Sequence, residues 1–577
     1  MKFQIKNKNT DSQFSVIPLQ EGKDLAVYEV LFRSERPCMP EKVKVEFQIP
    51  CINACSIWNA QCGLLRNILP DWKPNHQVAK SSLASGLPIQ SLISQDGNNV
   101  FTIWAADAKT PIEISCGVEE LQKTCQCRVT FFAMPIGELT EYRTKFVIDR
   151  RGKPFYEVIG EAVEAIRTVR QYVPQAAKEA VYSTWYNFHQ DIRDDVLIEE
   201  CKKAYALGMR TIIVDDGWQT DSKELGYAYC GDWKLCARKI KDMAHFVDVV
   251  HKIGMKIVFW YSVPYVGKKS PMWPVFQGKY LDNEQNLWNC LDPRFPQVRE
   301  YLIGIYEKAV QEWKIDGFKL DFIDSFTLTP YTNTNSNGRD YESLEDAIER
   351  LLSDITARLR RLNPEVLLEF RQTYIGPVIS RFGNMMRVND CPLDATANRI
   401  GVLDLRLTSG KAAVHSDMIT WHKDETDEGV ASQLIAALFG VPQISVVLSE
   451  ISDDHHRVLR FWLDFWRKHR QTLLEGKLKL HNPEVGYSMA EAQTHDTRIC
   501  VCYSKNMVPY GQGETYIVNG TGENFIVLFG SGAFSYTIQD CRGEQLSSGI
   551  RTMKQVELFE VPRCGLLKIL NLLKSCR

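Results

Sequence analysis

No run of about 18 apolar residues occurs in the chain, so nothing in it reads as a bilayer-spanning helix. The N-terminus, Met1-Lys2-Phe3-Gln4-Ile5-Lys6-Asn7-Lys8, carries no apolar run either. It does not read as a secretory signal, and a cytoplasmic location is expected. Net charge is nearly absent: 69 basic and 71 acidic residues leave −2. Without a global field or a long Lys/Arg run, nucleic acid and membrane are not expected partners. No CxxC pair occurs among the 17 cysteines, which speaks against a structural zinc ribbon. Cys125-Gln126-Cys127 and Cys500-Val501-Cys502 have a spacing of two, which puts both thiols of a pair on one strand face. Buried, reduced cysteines of a cytoplasmic enzyme are expected. Internal repeats and low-complexity segments are also missing.

What is present is an ordinary globular balance, with 44% hydrophobic and 24% charged residues. At 577 residues the chain exceeds one usual domain. Residues 1–155 read as a β-sandwich, from alternating runs such as Lys42 to Ile49 and Cys127 to Phe132. Over 156–177 a connecting helix is expected. Val158, Ile159, Ala162, Val163, Ile166 and Val169 recur at helical spacing, and Pro174 ends the pattern.

From 178 to 477, eight short β-branched runs alternate with helical patterns. They lie at Ala180–Trp185, Thr211–Asp216, Lys256–Trp260, Gly317–Asp321, Val366–Phe370, Met385–Asp390, Ala412–His415 and Gln443–Val447. That order predicts a (β/α)8 barrel, with a doubly wound open sheet as the alternative. The barrel is favoured because polar and aromatic residues end the runs: Trp185, Asp215, Asp216, Trp260, Asp321, Asp390 and His415. In a barrel those ends meet on one face, where active sites lie. Residues 478–577 return to alternating runs separated by glycines and predict a C-terminal antiparallel β domain, a second β-sandwich. The fold class is therefore a multidomain α/β plus all-β chain with a central barrel.

Asp321 follows Lys319 by two residues, so the two side chains share a strand face. A nearby ammonium keeps a carboxylate ionised, as a glycosidic nucleophile must be. A purely structural Lys–Asp pair explains the segment alone equally well. Asp390 ends the sixth run and could supply the second carboxyl that a retaining glycosidase needs. Asp394 reads first as the cap of a helix starting near Ala395. Asp215 and Asp216 could accept hydrogen bonds from sugar hydroxyls; a metal site is the competing idea, but no convincing ligand set assembles. His455-His456 reads as a surface helix start. Trp185, Trp218, Trp233 and Trp260 sit near run ends, where indole rings suit the C–H face of a sugar.

These segments resemble glycoside hydrolase family 36, in the clan of the α-galactosidases. Val214-Asp215-Asp216-Gly217-Trp218 resembles the family's Asp-Asp-Gly-Trp strand. Gly231-Asp232-Trp233, Gly254-Met255-Lys256 and Trp260 follow at familiar distances. Asp316 to Asp321 is similar to the Lys-x-Asp nucleophile strand, and Arg387-Val388-Asn389-Asp390 to the acid/base segment. Phe465 to Arg470 resembles a Lys-His-Arg helix of the family. The resemblance implies Asp321 as nucleophile and Asp390 as acid/base. It also implies that Asp215, Asp216 and Lys319 hold hydroxyls, with Trp260 or Trp233 stacking on the sugar. Trp185, Arg371, Arg387 and Asp394 are further candidate substrate contacts. No metal or cofactor is implied, and homo-oligomerisation stays open.

Two segments depart from the pattern. Trp260-Tyr261-Ser262-Val263-Pro264-Tyr265 stands where Trp-Phe-Glu-Pro-Glu-Met is usual. Glu369-Phe370-Arg371-Gln372-Thr373-Tyr374 replaces a Cys-Ser-Gly-Gly-Gly-like loop near the sugar's second position. Either Arg371 pairs with Glu369, or the sugar differs. The expected activity is a retaining exo-α-galactosidase. The alternatives are another galactose-configured sugar, such as N-acetylgalactosamine or an acidic sugar, a raffinose-synthase-like transfer, and, last, a non-catalytic carbohydrate binder.

Overall fold

The structure is a computed structural model that describes residues 1–7, 12–73, 77–166, 172–335, 337–511 and 513–572. Along Val43–Ile49 the apolar residues Val43, Val45, Phe47 and Ile49 are buried, while Lys44 and Gln48 face water. That period of two is what one strand face against a second sheet produces. Two six-stranded sheets result, with the strands in the orders 4–6, 43–49, 124–131, 112–119, 78–82, 85–86 and 12–21, 25–38, 139–149, 99–105, 89–94, 54–58. Their inner faces share one apolar core.

The helix Phe155–Ile166 follows and buries Phe155, Val158, Ile159, Ala162, Val163 and Ile166. Val169, assigned above to the same pattern, lies outside the described residues. The helix packs on the strands Ile89–Ser94 and Asn99–Ala105 and on the barrel helix Ala395–Thr408.

All eight runs form parallel strands that close into a barrel: β1 (Val181–Ser183), β2 (Thr211–Val214), β3 (Lys256–Ser262), β4 (Gly317–Asp321), β5 (Leu367–Arg371), β6 (Met385–Arg387), β7 (Ala413–Ile419) and β8 (Val441–Ile444). β1 pairs with β8, so the open-sheet alternative is excluded. Several ends differ from the reading: Asp215 and Asp216 lie just past β2, and β3 runs two residues beyond Trp260. Trp185 is not a strand residue but opens the short helix Trp185–Phe188. Asp390 lies three residues past β6, on a loop. His415 is not at the mouth: β7 runs on to Ile419, and the His415 ring meets the carbonyl of Ala177, in the turn before β1. His455 does start a helix, Asp453–Glu475, but is buried at 2% exposure rather than on the surface.

The last strands form a seven-stranded and a three-stranded sheet. The pairing is mostly antiparallel, as expected, with two parallel exceptions. One is Thr497–Cys502 with Glu514–Asn519. After Cys502 the chain crosses into the other sheet at Met507–Pro509 and returns in its original direction. The other is Met507–Pro509 with Ile526–Phe529. A buried carboxylate, Asp404, joins these parts. It accepts from Arg66 at 2.9 Å, from the Trp58 indole at 3.0 Å and from the Tyr487 hydroxyl. Because Arg66 is fully paired, burying its charge is tolerable.

Candidate active site

The ends of β3, β4 and β5 converge on Asp321, the last residue of β4. Its Oδ2 accepts from the Trp260 indole at 3.0 Å, and its Oδ1 accepts from the Phe322 amide at 2.9 Å and from Arg371 Nε at 2.5 Å. Burial pushes the Asp321 carboxyl up. Arg371, Lys319 and Arg387 together outweigh that, and the net shift is downward. The group is thus an ionised carboxylate, oriented on both oxygens. The nearest cation is not Lys319. The Lys319 ammonium donates to Asp215 Oδ2 at 2.5 Å, across the barrel. Burial disfavours that ammonium, yet Asp215 holds its pKa above the usual value.

Arg371 does not pair with Glu369. The two alternate residues share the inward face of β5, but Glu369 lies one layer deeper. There it accepts from Gln443 at 2.5 Å, with Arg387 at 3.5 Å. Arg371 stays at the mouth. Besides Asp321 it reaches Asn389 Oδ1 at 3.5 Å and Asp324 at 3.6 Å, and it lies over the Phe322 ring. One guanidinium therefore links the nucleophile candidate to the neighbour of Asp390.

Asp390 is open, with 55% of its side chain accessible. What desolvation it has pushes it up, but Arg387, 2.8 Å away, and Lys319 outweigh it and bring it down to about 2. Arg387 itself was expected to touch substrate. It is 1% exposed and sits below the mouth, among Asp390, Asp417 at 2.6 Å and Glu369. Its ion pairs there are all with carboxylates. Asp417, missed in the sequence because β7 was ended at His415, is fully buried. It accepts from Tyr186 at 3.0 Å and the Cys391 amide at 2.7 Å. Asp324 was also missed. Burial pushes its carboxyl up, and its Oδ2 accepts from Thr373 at 3.1 Å. Its place three residues after Asp321, beyond the strand, was the signal.

Asp215 and Asp216 are both buried and already engaged. Asp216 accepts from Gln190 and Gln219 at 2.6 Å each, and burial pushes it up to about 6. Asp394 caps the helix Ala395–Thr408 through the Ala397 amide and is exposed, so its capping role holds. Trp260 and Trp233 are 2% and 6% exposed and pack on each other edge to face, so neither offers an open face to a sugar. Trp260 instead orients Asp321. Trp185 leans on the His189 ring. The half-buried rings at the mouth are Tyr227, Tyr265 and Phe322, which contact one another. A cavity of about 490 Å³ opens beside them, lined by Tyr265, Trp288, Asn289 and Ser325. A second, of about 270 Å³, lies between the sandwich loop at Gln61 and Leu64 and the barrel residues Thr373, Asn389 and Asp390.

The melibiase family model matches residues 162–376, which include Asp215, Asp321 and Arg371. The chain is similar to the α-galactosidase Mel36A of Lactobacillus acidophilus, 25% identical over 188 residues, covering 30% of this chain and 24% of that protein. It is also similar to the A type blood α-D-galactosamine galactosaminidase of Flavonifractor plautii, 21% identical over 304 residues, covering 48% and 27%. The matches thus span about a quarter of these curated relatives. Among solved structures, the α-galactosidase of Lactobacillus brevis shares the fold with a TM-score of 0.64 at 14% identity, over 100% of this chain and 86% of that one. The family 36 α-galactosidase AgaA of Geobacillus stearothermophilus, solved with raffinose, gives 0.65 at 13% identity over 99% and 87%. Residues 162–376 are thus melibiase-like in sequence, and the chain shares its fold with these α-galactosidases.

Proposed function

We propose that the protein is a retaining, exo-acting α-galactosidase with Asp321 as nucleophile and Asp390 as acid/base. The observation that carries this is Asp321 itself: a buried, ionised carboxylate at a barrel mouth, held on both oxygens. In the first step an Asp321 oxygen bonds to the anomeric carbon as the glycosidic C–O bond breaks. Asp390 gives its proton to the leaving oxygen. In the second, Asp390 takes a proton from water, the water oxygen bonds to the anomeric carbon, and the ester bond to Asp321 breaks. Two inversions give retention. The cavity beside Asp390 suits the leaving group, because the acid must reach the leaving oxygen.

The held-down Asp390 adds a condition. With a pKa of about 2, it carries no proton in the free enzyme at neutral pH. Sugar closing over it removes water and raises it, so substrate binding is accompanied by proton uptake. Calorimetry of an α-galactoside binding to Asp321→Asn, in buffers of differing ionisation enthalpy, reads this directly. Uptake vanishes in Asp321→Asn/Asp390→Asn. Equal uptake in both proteins would reassign the acid.

The second reading is a changed sugar, and Arg371 is its specific observation. A guanidinium at the mouth, 14% exposed, favours an anionic or strongly accepting substituent next to the reacting carbon. A panel of aryl α-glycosides varied at C2, C5 and C6 decides between the readings. Plain galactose is expected to lead. An acidic sugar leading by tenfold or more in kcat/KM, with the lead lost in Arg371→Ser, replaces it.

A further inference from the structure

The N-terminal sandwich holds a knot of thiols that the barrel chemistry does not use. Cys125 and Cys127 share the inner face of the strand Thr124–Phe131. Cys116, on the neighbouring strand Ile112–Glu119, stands directly opposite Cys127 in the antiparallel register. The three sulfurs all lie within 4.8 Å of one another, and Cys116 and Cys127 are 3.8 Å apart. Cys51 lies two residues past Val43–Ile49, the strand on the other flank of Thr124–Phe131. It is half-buried and hydrogen-bonds to the Cys125 sulfur. All four thiols are free.

We propose that Cys116, Cys125 and Cys127, completed by Cys51, form a thiolate site for one thiophilic d10 cation, Zn²⁺ or Cu⁺. The dimensions fit. A metal–sulfur bond of about 2.3 Å gives a tetrahedral sulfur–sulfur edge of about 3.8 Å, the separation seen for Cys116 and Cys127. A disulfide needs about 2.05 Å. Soft thiolates select such ions over Mg²⁺ or Ca²⁺. The Cys116 thiol hydrogen-bonds to the Cys127 sulfur, and a bound cation would displace the thiol protons, which leave to solvent. Loading therefore improves as pH rises. A buried cysteine often serves as a small apolar filler. Cys500 and Cys502 fit that description: both are buried on one strand, but no third ligand joins them among the described residues. Filling does not require three thiols from two strands to come within 4.8 Å of one another, with a fourth just past a third strand.

The test uses the full chain, reduced and stripped with a chelator under argon, then loaded with Zn²⁺ in one arm and Cu⁺ in the other. Metal retained after desalting is counted by plasma mass spectrometry. One equivalent of one of the two ions is expected on the native chain and on Cys500→Ala. None is expected on the triple variant Cys116→Ala/Cys125→Ala/Cys127→Ala. If the triple variant does not fold, alkylation of the native protein answers instead: metal should protect Cys51, Cys116, Cys125 and Cys127, mapped by peptide mass, and leave other thiols unchanged. Retention of neither ion, equal retention by the triple variant, loss in Cys500→Ala, or a Cys116–Cys127 disulfide in the unreduced protein overturns the site.

Discussion

Asp321→Ala is expected to lose aryl α-galactoside turnover by about 10⁴-fold or more, and added azide is expected to restore part of it as the β-galactosyl azide. The side chain removed is the one whose oxygen forms the covalent bond, so no neighbour can substitute for it. The shortened residue leaves a hole beside the Trp260 indole and the Arg371 guanidinium, both of which donate to the carboxylate in the native protein. Those donors suit a small anion. Azide attacking from there displaces the aryl group on the opposite face, with a single inversion. Asp390→Ala behaves differently. An aryl leaving group needs little protonation, so the glycosyl-enzyme still forms, and azide trapping it gives the α-galactosyl azide. The product anomer, read by proton NMR, thus assigns each carboxylate its role. Turnover of Asp321→Ala near the native rate, or an α product from it, would end the nucleophile assignment. An α product from Asp324→Ala but not from Asp390→Ala would move the acid/base role to Asp324, whose carboxyl burial already pushes up.

The barrel was legible because its signal is local. The strands are short runs buried along their length, and most are followed by a helical pattern, so period and order suffice. Asp321 was legible for the same reason: it ends such a run. What stayed hidden depends on partners far away in the chain. Arg371 sits two residues from Glu369, so proximity in sequence suggested that pair. The barrel instead stacks inward residues in layers, and Arg371 meets Asp321, 50 residues earlier, in its own layer. Asp417 was missed because β7 was ended at His415, and a polar Ser416 and Asp417 resemble a loop. They are strand residues because Arg387 and the Cys391 amide satisfy the carboxylate inside. The tryptophans were read as sugar platforms from their position alone. Position does not show that Trp218, Trp233 and Trp260 pack upon one another and spend their faces there.

Arg387→Met is expected to destabilise the fold by about 3–5 kcal/mol at neutral pH, the usual cost of breaking one side of a buried ion pair. Arg387 is 1% exposed, and Asp417 and Glu369 are 0% and 1% exposed. Methionine fills most of the arginine's stem volume, so the loss is one of charge rather than of packing. Burial already pushes the Asp417 and Glu369 carboxyls up, with Arg387 restraining both. Without it both rise further and bind protons in the folded state. A group whose folded pKa lies above its unfolded value stabilises the fold as pH falls through the folded value. The variant's deficit is therefore largest at high pH and shrinks as pH falls through the raised values. Asp390 has the opposite sign in the native protein. Its depressed value adds stability that is present above about 3.9, the ordinary carboxyl range, and lost as pH falls toward about 2. Guanidinium unfolding of both proteins at several pH values, followed by tryptophan fluorescence, measures the difference. A deficit under about 1 kcal/mol, or one unchanged with pH, would mean that Asp417 and Glu369 do not depend on Arg387. The activity of the variant carries a separate sign: Asp390, freed of its nearest cation, titrates closer to an ordinary carboxyl, so it takes up its proton on sugar binding more readily than in the native protein.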